Sequence, residues 1–256
     1  MVEAFILGII QGLAEFLPIS SSAHLLIVSK VFNFQSNGLN SNMFDAILHG
    51  GSLLAIVIFF FKDIKKAILR PAIIRNILIS TIPTLVIGFF IEPIKDAYFR
   101  SVSISIFSLI FWGIYMIIAE KRNRAIKTME DLSTWEFLFI GIMQSIALIP
   151  GTSRSGITIS TALLLNMKNE EAVSTSFLIG LPVITAAFAY EFKKAIVLKT
   201  FLDTSILISG LISSFVFSLL ALIFLIKFIK KFKFSSFAYY RFGLALLLII
   251  LLWKGY

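Results

Sequence analysis

The chain has 256 residues, of which 58% are hydrophobic and only 14% charged, with a mean hydropathy of +0.96 and a formal net charge of +9. Soluble domains run nearer ~45–50% apolar and ~25% charged, so this composition excludes a soluble enzyme and a nucleic-acid binder, and the surplus of Lys and Arg is read as membrane topology instead. Cysteine is absent, which excludes a disulfide framework and any thiolate metal site or nucleophile.

The first segment, 4–31, is apolar at both ends but broken at its centre by "PISSSAH" (18–24). No Lys or Arg precedes its apolar run, and Glu3 lies just ahead of it, so it is not expected to be a cleaved signal peptide. Three spans are predicted next, near 44–61, 72–91 and 101–119. A second broken segment, 134–167, is interrupted at "PGTSRSG" (150–156) and followed by spans near 170–190, 205–226 and 242–253. Each half of a broken segment is too short to cross ~30 Å of hydrocarbon, which takes about 20 residues. Both segments are therefore expected to enter the membrane and return, with their irregular backbone buried in protein or lining a wet cavity. The expected fold is all-α and polytopic, with six transmembrane helices and two re-entrant helix pairs in a single membrane domain.

Basic residues orient these elements. With linkers 62–75, 120–131 and 227–241 on the cytoplasmic side, fifteen Lys and Arg lie inside, counting Lys168, against seven outside. Arg154 stands apart in the second break. The positive-inside rule favours this arrangement. The broken pairs then enter from opposite sides, and residues 1–119 and 134–256 form two inverted repeats. "GIIQGLAEFLPISSS" (8–22) matches "GIMQSIALIPGTSRS" (141–155) if Glu15 is skipped, which pairs Gln11 with Gln144, Pro18 with Pro150 and Ser21 with Ser153.

In such a repeat the two breaks meet near the midplane, so their polar residues are read together. Gln11 and Glu15 share a helix face. Ser20, Ser21 and Ser22 follow Pro18 at a helix start, where hydroxyls cap free N–H groups. His24 lies three residues after Ser21. The second break supplies Thr152, Ser153, Arg154 and Ser155 between Gly151 and Gly156. Helix N-termini attract anions, and arginine offers phosphate oxygens a planar fork. Glu15 would repel a phosphate unless it acts as a base or holds a divalent cation such as Mg²⁺ or Ca²⁺. The set suits phosphoester or phosphoanhydride hydrolysis. The bland readings are serines as packing residues, an arginine snorkelling to headgroups and a hydrogen-bonded His24. Asp45 and His49 fit a solvated span end equally well.

These residues resemble the integral-membrane undecaprenyl-diphosphate phosphatases, also called bacitracin-resistance proteins. The resemblance rests on Gln11 to Glu15 leading into "PISSSAH", on "PGTSRSG", and on "FDAILHGGSLLA" (44–55), "IPTLVIG" (82–88) and "FAYYRF" (237–242). It implies a multi-pass protein of the cytoplasmic membrane, often a dimer, with its site open to the outer face. The implied activity removes the terminal phosphate of a polyprenyl diphosphate, recycling the lipid carrier for cell-wall synthesis. By position, Glu15 and Gln11 match the acidic element linked to a divalent metal, Ser21 and His24 the nucleophile and its acid/base partner, and Arg154 the phosphate clamp. The family allows Glu where this chain has Gln11, which cannot act as a base. A transporter or flippase of polyprenyl phosphate is the rival reading, since broken helices in inverted repeats are transporter architecture.

Overall fold

The computed structural model describes residues 1–32, 39, 42–98, 101–199 and 203–254, which form helices and short connections. Helices α1 (Val2–Phe16) and α2 (Ser21–Phe32) make the first broken pair, and α7 (Thr134–Ser145) and α8 (Arg154–Leu164) the second. A short 3₁₀ turn, Ile146–Leu148, extends α7 towards its break. At 1.5 Å per residue none of the four exceeds roughly 23 Å, so none crosses a bilayer alone. Among the described residues the crossings are α3 (Asn42–Phe59), α5 (Pro71–Tyr98), α6 (Val102–Arg122), α9 (Asn169–Val197), α10 (Thr204–Lys231) and α11 (Ser236–Trp253). Arg100, counted above with the outer cations, lies outside the described residues.

The first crossing ends where α4 (Phe61–Ile68) turns away from α3 by 74°. This helix carries Lys62, Lys65 and Lys66 beside Phe61, Ile64 and Ile68, the pattern of a helix lying in the interface. Charged capping boxes finish the same end of the bundle. Thr128 and Asp131 close one, and Ser133 and Glu136 open α7 with a second. At the opposite end Asp203 caps α10, accepting from the Ser205 N–H and hydroxyl at 2.8 Å each. These bonds hold its carboxyl below the usual carboxylate range.

Packing between helices uses small and hydroxyl side chains, since lipid supplies no hydrophobic drive for helices to associate. Helix α1 lies along α10, where any Cβ at Gly8 would strike Ser213 and the Gly210 carbonyl. Helix α7 lies along α5, where a Cβ at Gly141 would strike the Ser80 backbone. The Ser52 hydroxyl of α3 sits between Ser214 and Ser218 of α10, at 3.2 and 3.1 Å. Met1 accepts a bond from Ser209 near the start of α10. Thr134 bonds Asn76 near the start of α5, at 3.1 Å. Each broken pair is thus seated on a long helix of the other half of the chain.

The last crossing begins earlier than its hydropathy indicates. Glu120 accepts the N–H groups of Phe234 and Ser235 at 2.5 and 3.1 Å, which makes a four-residue corner between α10 and α11. Arg241, counted above as a linker cation, consequently lies inside α11 at 0% exposure. It cannot serve as a topological charge.

Candidate functional site

Both breaks have one local design. Ser20 and Ser153 precede α2 and α8 with left-handed φ values of 75° and 68°. Each Oγ accepts the N–H three residues on, from Ala23 at 3.4 Å and Gly156 at 3.2 Å, and each meets the hydroxyl two residues on, Ser22 at 3.1 Å and Ser155 at 3.3 Å. The equivalence is Ser20 with Ser153, Ser21 with Arg154 and Ser22 with Ser155. It runs back without a gap to Gly8 and Gly141. The alignment that skips Glu15 is therefore corrected: Glu15 stands opposite Leu148, and Pro18 opposite Gly151.

The breaks are stitched together. The Gly151 N–H donates to Ser22 Oγ at 3.1 Å, and Ser155 Oγ donates to the Leu17 carbonyl at 3.3 Å. Across this seam Arg154 Nη2 meets Glu15 Oε1 at 3.1 Å, with both side chains about nine-tenths buried (12% and 11% exposed). Glu15 Oε2 accepts from Gln11 Nε2 and from Ser21 Oγ, each at 3.2 Å. Gln11 is also 3.5 Å from His49 Nδ1. These residues open into a cavity of about 400 Å³ lined also by Ser20, Ser22, Asp45, Thr84, Gln144 and Ser153, a volume in the range of small-ligand sites. A larger depression of about 570 Å³ between α5 and α9 offers Arg75 and Thr81 but neither carboxylate nor imidazole. Chemistry belongs to the smaller cavity.

Beside the carboxylates of Glu15 and Asp45 the cavity also presents donors suited to an anion. The first turns of α2 and α8 start beside it, with backbone N–H groups and the positive ends of their dipoles. Arg154 Nη1 is buried with no hydrogen-bond partner among the described residues, in space left open by Gly180 of α9. A buried guanidinium donor without an acceptor is costly, and an anion oxygen would relieve it. The arrangement pairs a carboxylate, a hydroxyl and a guanidinium within one hydrogen-bonded cluster.

The family profile described as "Bacitracin resistance protein BacA" matches residues 4–247. The chain belongs to that family. A protein of Thermodesulfovibrio yellowstonii named undecaprenyl-diphosphatase is 37% identical over 98% of this chain and 97% of its own length. One of Pelagibacter ubique with the same name is 36% identical over 99% and 98%, and one of Caldicellulosiruptor bescii 37% identical over 96% of each.

Three residues singled out from the sequence do not face the cavity. His24 does not pair with Ser21. Its Nδ1 lies 2.7 Å from the Ser20 carbonyl and its Nε2 2.8 Å from the Tyr240 hydroxyl. A ring that reaches one turn back to the helix start is committed to that carbonyl. Thr152 is wholly buried, and its hydroxyl has no partner among the described residues. Ser155 is wholly buried and spends its hydroxyl on the seam. Conversely, Gln144 lines the cavity and donates to Thr84 at 3.4 Å. Its pairing with Gln11 in the repeat was the available signal. Asp45 and His49, at the start of α3, also line the cavity.

Proposed function

We propose that this chain is an undecaprenyl-diphosphatase, hydrolysing the phosphoanhydride of a polyprenyl diphosphate to the monophosphate and inorganic phosphate. The observation that carries the reading is the contact of Glu15 with both Arg154 and Ser21 across the two breaks. Family membership and near full-length similarity to proteins of that name supply the substrate. The diphosphate sits between the starts of α2 and α8, its charge shared by Arg154 and the first-turn amides. Such stabilisation of a transferring phosphoryl group is the main catalytic contribution. As phosphate oxygens draw Arg154 off, Glu15 is released to take the Ser21 proton. Ser21 Oγ then bonds the terminal phosphorus as the bridging P–O bond breaks and the prenyl monophosphate leaves. Glu15 hands that proton to the departing prenyl phosphate, then takes one from the water that attacks the phosphoserine, and returns it to Ser21 Oγ as the Ser–O–P bond breaks and inorganic phosphate leaves. Of the two bases the sequence offered, this assigns the role to Glu15 and not to His24, the partner that the resemblance implied.

The donor set fits a divalent ion only in the manner Mg²⁺ favours, with one or two protein ligands completed by substrate phosphates. Among the described residues no group of three or more His, Cys, Asp or Glu forms a cage. Glu15 and the Gln11 carbonyl would hold Mg²⁺ or Ca²⁺ against the substrate oxygens. Such an ion supplies neutralisation of phosphate charge.

Reciprocal seating supports two inverted repeats, 1–119 and 134–256: α1 on α10 answers α7 on α5. Helices α1, α3 and α10 begin at one end and α5, α7 and α9 at the other. A cavity in the outer half of the inner membrane is supported, with the basic loops cytoplasmic, by its lining of Asp45 early in α3 and Ala187 late in α9. The substrate would then be met at the outer face.

The test is phosphate release from a polyprenyl diphosphate by the purified protein in detergent, with no sealed membrane. Release is expected, with about 10³-fold losses for Arg154→Ala and Ser21→Ala and inhibition by a chelator that added Mg²⁺ or Ca²⁺ reverses. No release from wild type would sink the reading and leave a carrier of polyprenyl phosphate. Full activity in Ser21→Ala would transfer the attack to water.

A further inference from the structure

Arg241 lies in α11 between residues that read as ordinary membrane bulk, yet its guanidinium is fully buried. Among the described residues its hydrogen-bond partners are all backbone carbonyls: Pro18 at 3.4 Å, Gly151 at 2.8 Å, Ser108 at 3.2 Å and Leu109 at 3.3 Å. Taking an arginine out of water is expensive unless its donors are satisfied, and irregular backbone within a membrane carries the converse deficit, carbonyls without helical partners. The two needs cancel here. Pro18 and Gly151 are moreover the equivalent positions of the two breaks, so one planar fork spans the same carbonyl in each. Glu15 lies three residues before the first contact and Arg154 three residues after the second.

We propose that Arg241 is a positioning residue that pins both breaks to each other and to α6, and thereby sets the distance between Glu15 and Arg154. It touches no reacting atom. The inference rests on the reading that Glu15 and Arg154 act on a phosphate group, and it explains how two segments more than a hundred residues apart keep one geometry. Lysine cannot replace it, because a single ammonium on a flexible stem does not reproduce the fork.

The experiment is a double-mutant cycle on kcat/KM, per folded molecule, in monodisperse detergent-purified protein. Arg241→Lys is expected to lose about 30-fold and Arg154→Lys about 100-fold, while the double variant falls no more than about threefold below Arg154→Lys, because the first change has already misplaced what the second removes. Multiplying effects, or an Arg241→Lys protein within about threefold of wild type, would overturn the proposal. If Arg241→Lys yields no folded protein, Ser22→Ala, which removes the neighbouring stitch to Gly151, takes its place. Its expected loss is about tenfold with the same failure to multiply, and a multiplying loss overturns the proposal. A second readout is independent of turnover: inorganic pyrophosphate should raise the thermal midpoint of wild type and raise that of Arg241→Lys less. Equal shifts overturn the role of Arg241. A wild type that releases no phosphate but is stabilised by pyrophosphate refutes the proposed activity alone, and one that shows neither refutes both.

Discussion

Glu15 and His24 differ in what their hydrogen bonds leave them free to do. Glu15 accepts from Arg154, Gln11 and Ser21, so it is the carboxylate next to the hydroxyl expected to attack. His24 reaches the Ser20 carbonyl and Tyr240, so on the proposed reading it supports the left-handed Ser20 and leaves the proton to Glu15. This assignment has a discriminating test. Asparagine keeps a donor near the place of Nδ1 but has no titratable group in this range. His24→Asn should therefore retain about tenfold more phosphate-releasing activity than His24→Ala. A proton carrier would lose its rate equally in both, and equal losses would restore His24 to the chemistry.

Among the elements, the starts of α2 and α8 show why some of the site was legible in sequence and some was not. Serine before a helix is a readable cap, and the polar set inside apolar segments was enough to bring the two breaks together on paper. Proline is a false guide to the register between them. Pro18 occupies the place of Gly151, and Pro150 the place of Leu17. What the breaks share is a cap, a turn and a carbonyl bonded by Arg241, and proline is only one way of breaking a helix. The cap can be weighed. Ser153 combines a bond to the Gly156 N–H with a φ of 68°. Ser153→Ala loses the bond and keeps the strained backbone, a cost of about 1–2 kcal/mol. Ser153→Gly gives up the bond but relieves the backbone, and should fall within about 0.5 kcal/mol of wild type. Thermal unfolding in detergent compares the two. A glycine variant less stable than the alanine would show that the Ser153 side chain holds more than the helix start.

For the whole molecule, hydropathy located the crossings because lipid selects for length and composition, whereas Arg241 gave no sign of itself. A cation that binds carbonyls leaves no partner type to find in a sequence, and it was counted with the loop charges. Removing it from that count still leaves the basic residues concentrated at one end, around α4, the 123–133 connection and the α10–α11 corner. The proposed orientation, and with it the outward-facing cavity, therefore does not depend on Arg241. It can be tested cleanly because the chain has no cysteine, so each introduced thiol reports by itself. Lys66 and Arg124 are exposed at the basic end, and Lys199 and Lys254 at the other. In intact cells an impermeant maleimide should label Lys199→Cys and Lys254→Cys and reach Lys66→Cys and Arg124→Cys only after the membrane is opened. The opposite pattern would turn the cavity toward the cytoplasm, and a diphosphate on the outer leaflet could not then be its substrate.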